Sequence, residues 1–189
     1  MRKMITVKIN GEERQYPQGA TYEDVANDYQ QEYENLIALA ARDGKIRELF
    51  KKLTRDCEVT FFTLKDDVGN KTYVRSATML FLKAVFDVYG REAAQSCRVE
   101  FAIGNGSYIS PKGKINATEE NAAKIRNQMR ELVEAKTPFL KRSYSLDNAM
   151  ELFRKEGMKD KEKLFRYRRG SFVNIYEMDG YYDYYYGYM

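Results

Sequence analysis

The first apolar run, Met4–Ile9 (MITVKI), has strand propensity and stops at Asn10-Gly11, a pair suited to the positive φ angles of a type I′ hairpin turn. Glu13–Tyr16 is then the returning strand. Thr21 precedes Tyr22-Glu23-Asp24-Val25-Ala26, where its hydroxyl can cap a helix and the two acids favour the first turn. Leu36–Ala41 (LIALAA) reads as a buried strand ahead of an Asp43-Gly44 turn, and Glu58–Leu64 (EVTFFTL) as another. Residues 1–64 thus predict one compact unit of hairpin, helix and two or three further strands. The polar stretch Lys65–Lys71 (KDDVGNK) predicts a linker over 65–72.

The pattern beyond it changes to helices mixed with antiparallel strands, which predicts an α+β second domain over 73–189. A helix over Tyr73–Tyr89, stopped by Gly90, gathers Val74, Ala77, Phe81, Ala84, Val85 and Val88 on one side. Val99–Ile103 and Tyr108–Ser110 flank Gly104-Asn105-Gly106 as a hairpin, and those glycines read as a tight turn because no helix start follows them. Thr118 caps a long helix to about Lys136 with Ile125, Met129, Leu132 and Val133 as its stripe. Pro138 precedes a short strand, Phe139–Ser143; Ser145 starts another helix that Gly157 ends. A basic helical segment, Lys159–Tyr167, and a strand, Phe172–Met178, lead into YYDYYYGYM at 181–189.

Composition narrows the chemistry. The chain has 189 residues, 43% hydrophobic and 32% charged, as in a folded protein, and no apolar run long enough to span a bilayer or serve as a signal peptide. The cytoplasm is the expected compartment, with no membrane partner. Cys57 and Cys97 lie in apolar surroundings and read as buried thiols, not as a disulfide framework. A net charge of +4 permits contact with RNA or another anion without demanding it. There is no histidine, so the side chain that titrates near neutrality and most often binds transition metals is missing. No metal site is expected.

Several local words then become recognisable. MITVKINGEERQYPQGATYEDVA, the Asp43-Gly44 turn and Lys52–Val59 (KLTRDCEV) resemble a TGS domain, the β-grasp module found in threonyl-tRNA synthetases and some GTPases. The remainder resembles the second N-terminal domain of threonyl-tRNA synthetase, which hydrolyses wrongly charged tRNA. The resemblance covers nearly the whole chain, and the order of elements carries it more than any one word. It implies a TGS-like β-grasp followed by an α+β editing-like domain.

The departures bear on activity. Where that editing domain carries H-S-x-x-H, this chain reads Arg75-Ser76-Ala77-Thr78-Met79; where it carries D-x-C-x-G-P-H, this chain reads Asp183–Met189 (DYYYGYM). Asp183 and Gly187 stand; the histidines and the cysteine are replaced. Positions 75 and 79 are one helical turn apart and face the same way. Arginine offers no lone pair and does not deprotonate near neutrality. Methionine is a soft ligand that suits copper(I) better than zinc, and the Tyr185 phenol titrates near pH 10. The expectation is a degenerate pocket of Arg75, Met79, Asp183, Tyr185 and Met189, with no catalytic residue and deacylation lost.

A TGS unit plus an editing-like domain stripped of its ligands also resembles the N-terminal region of bacterial uridine kinase-like nucleoside kinases. That resemblance implies a fragment whose partner is a C-terminal P-loop kinase domain of the same polypeptide, using ATP and magnesium. The chain itself needs no cofactor and contains no G-x-x-x-x-G-K-[ST] phosphate loop. The expected role is a non-catalytic regulatory or ligand- or RNA-binding module. The alternative is a diverged threonyl-tRNA synthetase fragment that binds tRNA or keeps residual deacylase activity.

Two local questions stay open at this point. The pocket could hold a nucleoside or nucleotide by stacking and paired donors, or Arg75 and Asp183 could form an ion pair over an inert core. Lys159–Arg169 (KDKEKLFRYRR), with Phe165 and Tyr167 between its cations, could contact RNA or be a solvated helix face.

Overall fold

A computed structural model describes residues 3–104 and 106–189. It divides into two compact units, residues up to Ser76 together with Gly187–Met189, and Ala77–Tyr186. The chain is mixed α+β throughout.

In the first unit, β1 (Met4–Ile9) turns at Asn10 and Gly11, both at positive φ, into β2 (Glu12–Pro17). The helix α1 (Tyr22–Tyr29) opens with a capping box: Asp24 N–H donates to the Thr21 hydroxyl at 3.1 Å, and Thr21 N–H donates to the Asp24 carboxylate at 2.7 Å. A turn of 3₁₀ helix over Gln30–Glu32 leads to β3 (Ile37–Arg42), β4 (Lys45–Glu48) and β5 (Cys57–Thr63). The five strands form a mixed sheet in the order β2-β1-β5-β3-β4, with β1 and β5 parallel and the other neighbours antiparallel. The period of two turns Ile5, Val7 and Ile9 inward, where they meet Tyr22, Val25 and Tyr29 of α1 together with Ala40, Leu53 and Val59. Each of these aliphatic side chains stabilises the unit by about 1.5–3 kcal/mol through burial.

Residues 67–72 differ from the expected linker, because α2 spans Asp67–Tyr89. Just ahead of it the Asp66 carboxylate accepts from the Thr63 N–H at 2.7 Å and from its hydroxyl at 3.0 Å, closing a tight turn at the end of β5. Gly69 is buried in the first turns of this helix, so close to β5 that a Cβ there would lie 2.0 Å from the Thr63 carbonyl oxygen. A stretch that reads as polar and flexible is therefore a tight helix–strand junction. The compact division falls inside α2, between Ser76 and Ala77, and not at 65–72.

In the second unit, α2 continues to Tyr89 and is followed by α3 (Arg91–Ser96), β6 (Arg98–Ile103), β7 (Gly106–Ser110), α4 (Glu119–Glu134), β8 (Leu140–Ser145), α5 (Leu146–Lys155), α6 (Lys159–Arg166), β9 (Phe172–Met178) and β10 (Tyr181–Asp183). β6 and β7 form a hairpin, and Asn105 of the expected turn lies outside the described residues. β10-β9-β8 is an antiparallel sheet. On β9, Val173 and Ile175 of one face and Tyr176 and Met178 of the other are buried, as are Phe153 of α5 and Phe165 of α6, whose rings meet at 5.5 Å. Thr118 and Ser145 cap α4 and α5 as their sequence positions suggest, each accepting from a backbone N–H three residues on.

Helical spacing misplaced several side chains. Val74 and Val133 are exposed, whereas Met79, Leu82 and Lys83 of α2 are buried. Lys83 is tolerated inside because its ammonium donates to Asp87 at 2.7 Å, to the Asp179 carbonyl at 2.8 Å and to the Asp179 carboxylate at 3.2 Å. Cys57 is buried and Cys97 half-buried; both are free, and burial pushes both thiols up from their ordinary pKa. No helix among the described residues is long and apolar enough to cross a membrane.

Candidate functional site

The candidate residues fall into two groups. Met79, Asp183 and Tyr185 lie in the second unit; Arg75 and Met189 lie in the first.

Asp183 closes β10 and is 3% exposed. Its carboxylate accepts from the Tyr184 N–H at 2.7 Å and pairs with the Lys161 ammonium of α6 at 3.0 Å. Two phenols face the same charge. Burial, with Asp183 as the next contribution, holds Tyr181 and Tyr185 well above the ordinary phenol pKa, so both stay protonated. The Tyr185 hydroxyl is buried without a partner in hydrogen-bonding geometry, and its ring meets Tyr176 edge-on at 6.4 Å. Tyr184 packs edge-on against Phe165 at 5.1 Å, with the Arg168 guanidinium over its ring at 5.4 Å and hydrogen-bonded to its hydroxyl. Met79 is fully buried in α2.

In the first unit, Arg75 Nε donates to the Tyr188 carbonyl at 2.9 Å, and the Met189 N–H donates to the buried Glu48 carboxylate at 3.3 Å. Gly187 has φ of +133°, and a Cβ there would come within 2.8 Å of the Arg75 guanidinium carbon. This accounts physically for glycine at that position. Asp183 has Lys161 as its ionic partner, while Arg75 clamps the chain's last residues. Nothing in the spacing pointed to Lys161, which is brought in by the fold of α6 onto β10.

The chemistry available follows from these protonation states. A buried, neutral phenol donates a hydrogen bond but does not take a proton, and the one carboxylate among these phenols is already engaged by the Lys161 ammonium. Among the described residues no three histidine, cysteine or carboxylate side chains converge to hold a metal ion.

The basic segment is divided by its own helix. Phe165 is buried, whereas Tyr167 is 79% exposed. Glu162 ties down Arg154 at 2.9 Å and Arg166 at 3.2 Å. Lys163, Arg168 and Arg169 lie exposed on either side of Tyr167.

No family model matches the chain. It is similar to threonine–tRNA ligases: 27% identical over 187 residues to that of Thermotoga neapolitana, covering 92% of this chain and 28% of the ligase. The Thermotoga maritima enzyme is 27% identical over 186 residues, covering 90% and 28%; that of Carboxydothermus hydrogenoformans is 25% identical over 183 residues, covering 91% and 28%. The match lies in the N-terminal region of these enzymes, so the chain spans little more than a quarter of the relatives' length. The reading as the front of a nucleoside kinase draws no support from these relatives.

Proposed function

We propose that the chain is a diverged N-terminal piece of threonyl-tRNA synthetase type, which contacts tRNA and does not deacylate it. The observation that carries the reading is the kinship itself, which runs along about nine-tenths of the chain. The five-stranded mixed sheet with α1 packed on it supports a TGS-like β-grasp for the first unit, and the second unit is then the editing-like domain. Loss of hydrolysis is supported by the tyrosines around Asp183. Where the resemblance implies a thiol and imidazoles to handle protons, this chain has neutral phenols and a carboxylate paired with Lys161. The cytoplasm, where tRNA is charged, is the compartment this role requires.

The contact face is the exposed run Lys163, Tyr167, Arg168 and Arg169, where cations can neutralise phosphates and a ring can stack on an unpaired base. Anisotropy of labelled tRNA specific for threonine, titrated with the chain at several salt concentrations, tests the binding. The expected result is salt-dependent affinity that falls when Lys163 and Arg169 become glutamate. In parallel, the same tRNA carrying a wrong amino acid should lose it no faster than in buffer. Absence of binding even at low salt would sink the tRNA role. Enzyme-dependent hydrolysis, or stoichiometric zinc by elemental analysis, would overturn the account of the lost site.

A further inference from the structure

We propose that a cavity of about 360 Å³ in the first unit, lined by Tyr22, Arg42, Arg47, Lys51, Lys52 and Thr54, binds the phosphoryl group of a phosphate ester. It is separate from Asp183 and from the exposed run around Tyr167, and it does not depend on the function proposed above.

The lining holds four cations and no acid. Among the described residues, none of the four forms an ion pair, although the same unit pairs Arg55 with Asp43 at 2.9 Å and Arg14 with Glu12 at 3.8 Å. The nearby acids are otherwise occupied. Asp24 holds the Thr21 cap, Asp43 holds Arg55 and the Glu58 N–H, and Glu48 accepts from Met189. Lys51 and Lys52 are exposed and Arg42 and Arg47 half-buried, so the four form a positive patch whose field draws an anion in.

Two polar atoms point the same way. Tyr22 is 0% exposed; the Arg42 guanidinium beside its hydroxyl offsets part of the rise in pKa that burial causes, but no partner meets that hydroxyl in good hydrogen-bonding geometry. The Nε of Arg42 is likewise buried and unpartnered, although NH1 of the same guanidinium donates to the Thr54 hydroxyl at 3.1 Å. Burial of such groups without a partner is unfavourable, and both are donors. An oxyanion satisfies them together, with the planar guanidinium offering its remaining N–H edge.

The walls are held by backbone. Tyr22 N–H donates to the Lys51 carbonyl at 3.0 Å, Leu53 N–H to the Ala20 carbonyl at 2.7 Å, and Thr21 bridges Lys52. The segment that carries Lys51, Lys52 and Thr54 is thus fixed to the start of α1, so the donors converge before any ligand arrives. The volume exceeds a bare phosphate and suits the phosphoryl group plus part of the body that carries it.

Isothermal titration of the full chain with inorganic phosphate, AMP, adenosine and a short RNA with or without a 5′-phosphate tests the assignment. Phosphate and AMP should bind while adenosine does not. A preference for the 5′-phosphorylated RNA over its unphosphorylated form would assign the same phosphoryl site to a nucleic acid end. Arg42→Gln with Lys52→Gln should weaken binding by about tenfold or more. Tyr22→Phe removes only the unpartnered hydroxyl, so it should weaken binding by roughly threefold while the melting temperature holds or rises. This second variant separates loss of the site from loss of the fold. No heat with any phosphorylated probe, or heat unchanged in both variants, would overturn the proposal.

Discussion

Gly69 sits where α2 leaves β5, and replacing it with alanine sets two opposing effects against each other. Alanine favours a helix interior over glycine by about 1 kcal/mol. The added methyl would stand 2.0 Å from the Thr63 carbonyl oxygen, 2.8 Å from its carbon and 3.6 Å from the Ala38 Cβ. The first two atoms are backbone and have no rotamer to yield, so helix and strand must separate by well over an ångström. That movement also strains the Thr63–Asp66 turn, since Asp66 N–H donates to the same Thr63 carbonyl at 3.1 Å. Overpacking against backbone costs about 3 kcal/mol at the upper end of the usual range, so the clash wins by about 2 kcal/mol. A unit of this size should then melt roughly 8–16 °C lower. Thermal unfolding followed by circular dichroism measures this, with Asn70→Ala, one exposed position along, as a control expected to hold or gain slightly. If Gly69→Ala melts at or above the parent, the junction is looser than the geometry requires and the reasoning fails.

Other consequences concern the tyrosine-rich end. Lys161→Met leaves the buried Asp183 carboxylate without its ionic partner and should cost about 2–4 kcal/mol, with a large part recovered when Asp183→Asn is added; additive losses would show that the pair is not coupled. The folded-state pKa values of Tyr181 and Tyr185 are raised, so above about pH 10 the unfolded chain gives up phenolic protons that the folded one keeps. Stability from these groups should therefore be intact near neutrality and fall as pH climbs beyond that point, with phenolate absorbance rising only as the chain unfolds; phenolate appearing in the folded chain at the ordinary value would contradict the burial argument. Tyr185→Phe deletes a buried hydroxyl that has no partner and should leave neutral-pH stability unchanged or higher; a loss above about 1 kcal/mol would mean the hydroxyl is satisfied. Arg75→His with Met79→His should restore no deacylation of mischarged tRNA while Tyr185 and Met189 remain, and any hydrolysis above the buffer rate would refute the account of the lost ligands.

Elements whose signal is local were legible in the chain. β1 and β9 lie at the expected residues, and the Asn10-Gly11 and Asp43-Gly44 turns adopt the positive φ values their residue types suit. Thr21, Thr118 and Ser145 cap as expected because a cap needs only neighbours three residues away. The start of α2 is not legible in the same way. Thr63 and Asp66 close a turn ahead of the helix and not a capping box on it, the charged residues after them resemble a linker, and a glycine forced by close packing looks like one chosen for flexibility. Lys83 was missed for another reason. Periodicity places a lysine outside, and its burial depends on Asp179, 96 residues later in the chain.

The same distinction governs the site. Asp183 and Gly187 stand out in the sequence through the resemblance alone; in the fold Lys161, far off in sequence, pairs the carboxylate, and Gly187 carries a φ of +133° that favours glycine. The tyrosines between them change meaning once these partners are known. Tyr181 is buried, Tyr184 packs on Phe165 and Tyr185 on Tyr176, so the run is packed onto the fold over residues 181–185 while Tyr186 stands exposed. A phenol is also much larger than the thiol that the resemblance implies at position 185. On the proposed reading that ring fills room a substrate would need, and the Lys161 ammonium already neutralises the carboxylate. Affinity for a large anionic partner must then come from surfaces that remain open. In the second unit that means the exposed cations around Tyr167, and in the first unit the cavity beneath Arg42. On the proposed reading, loss of hydrolysis and contact with tRNA are compatible because they fall on different residues.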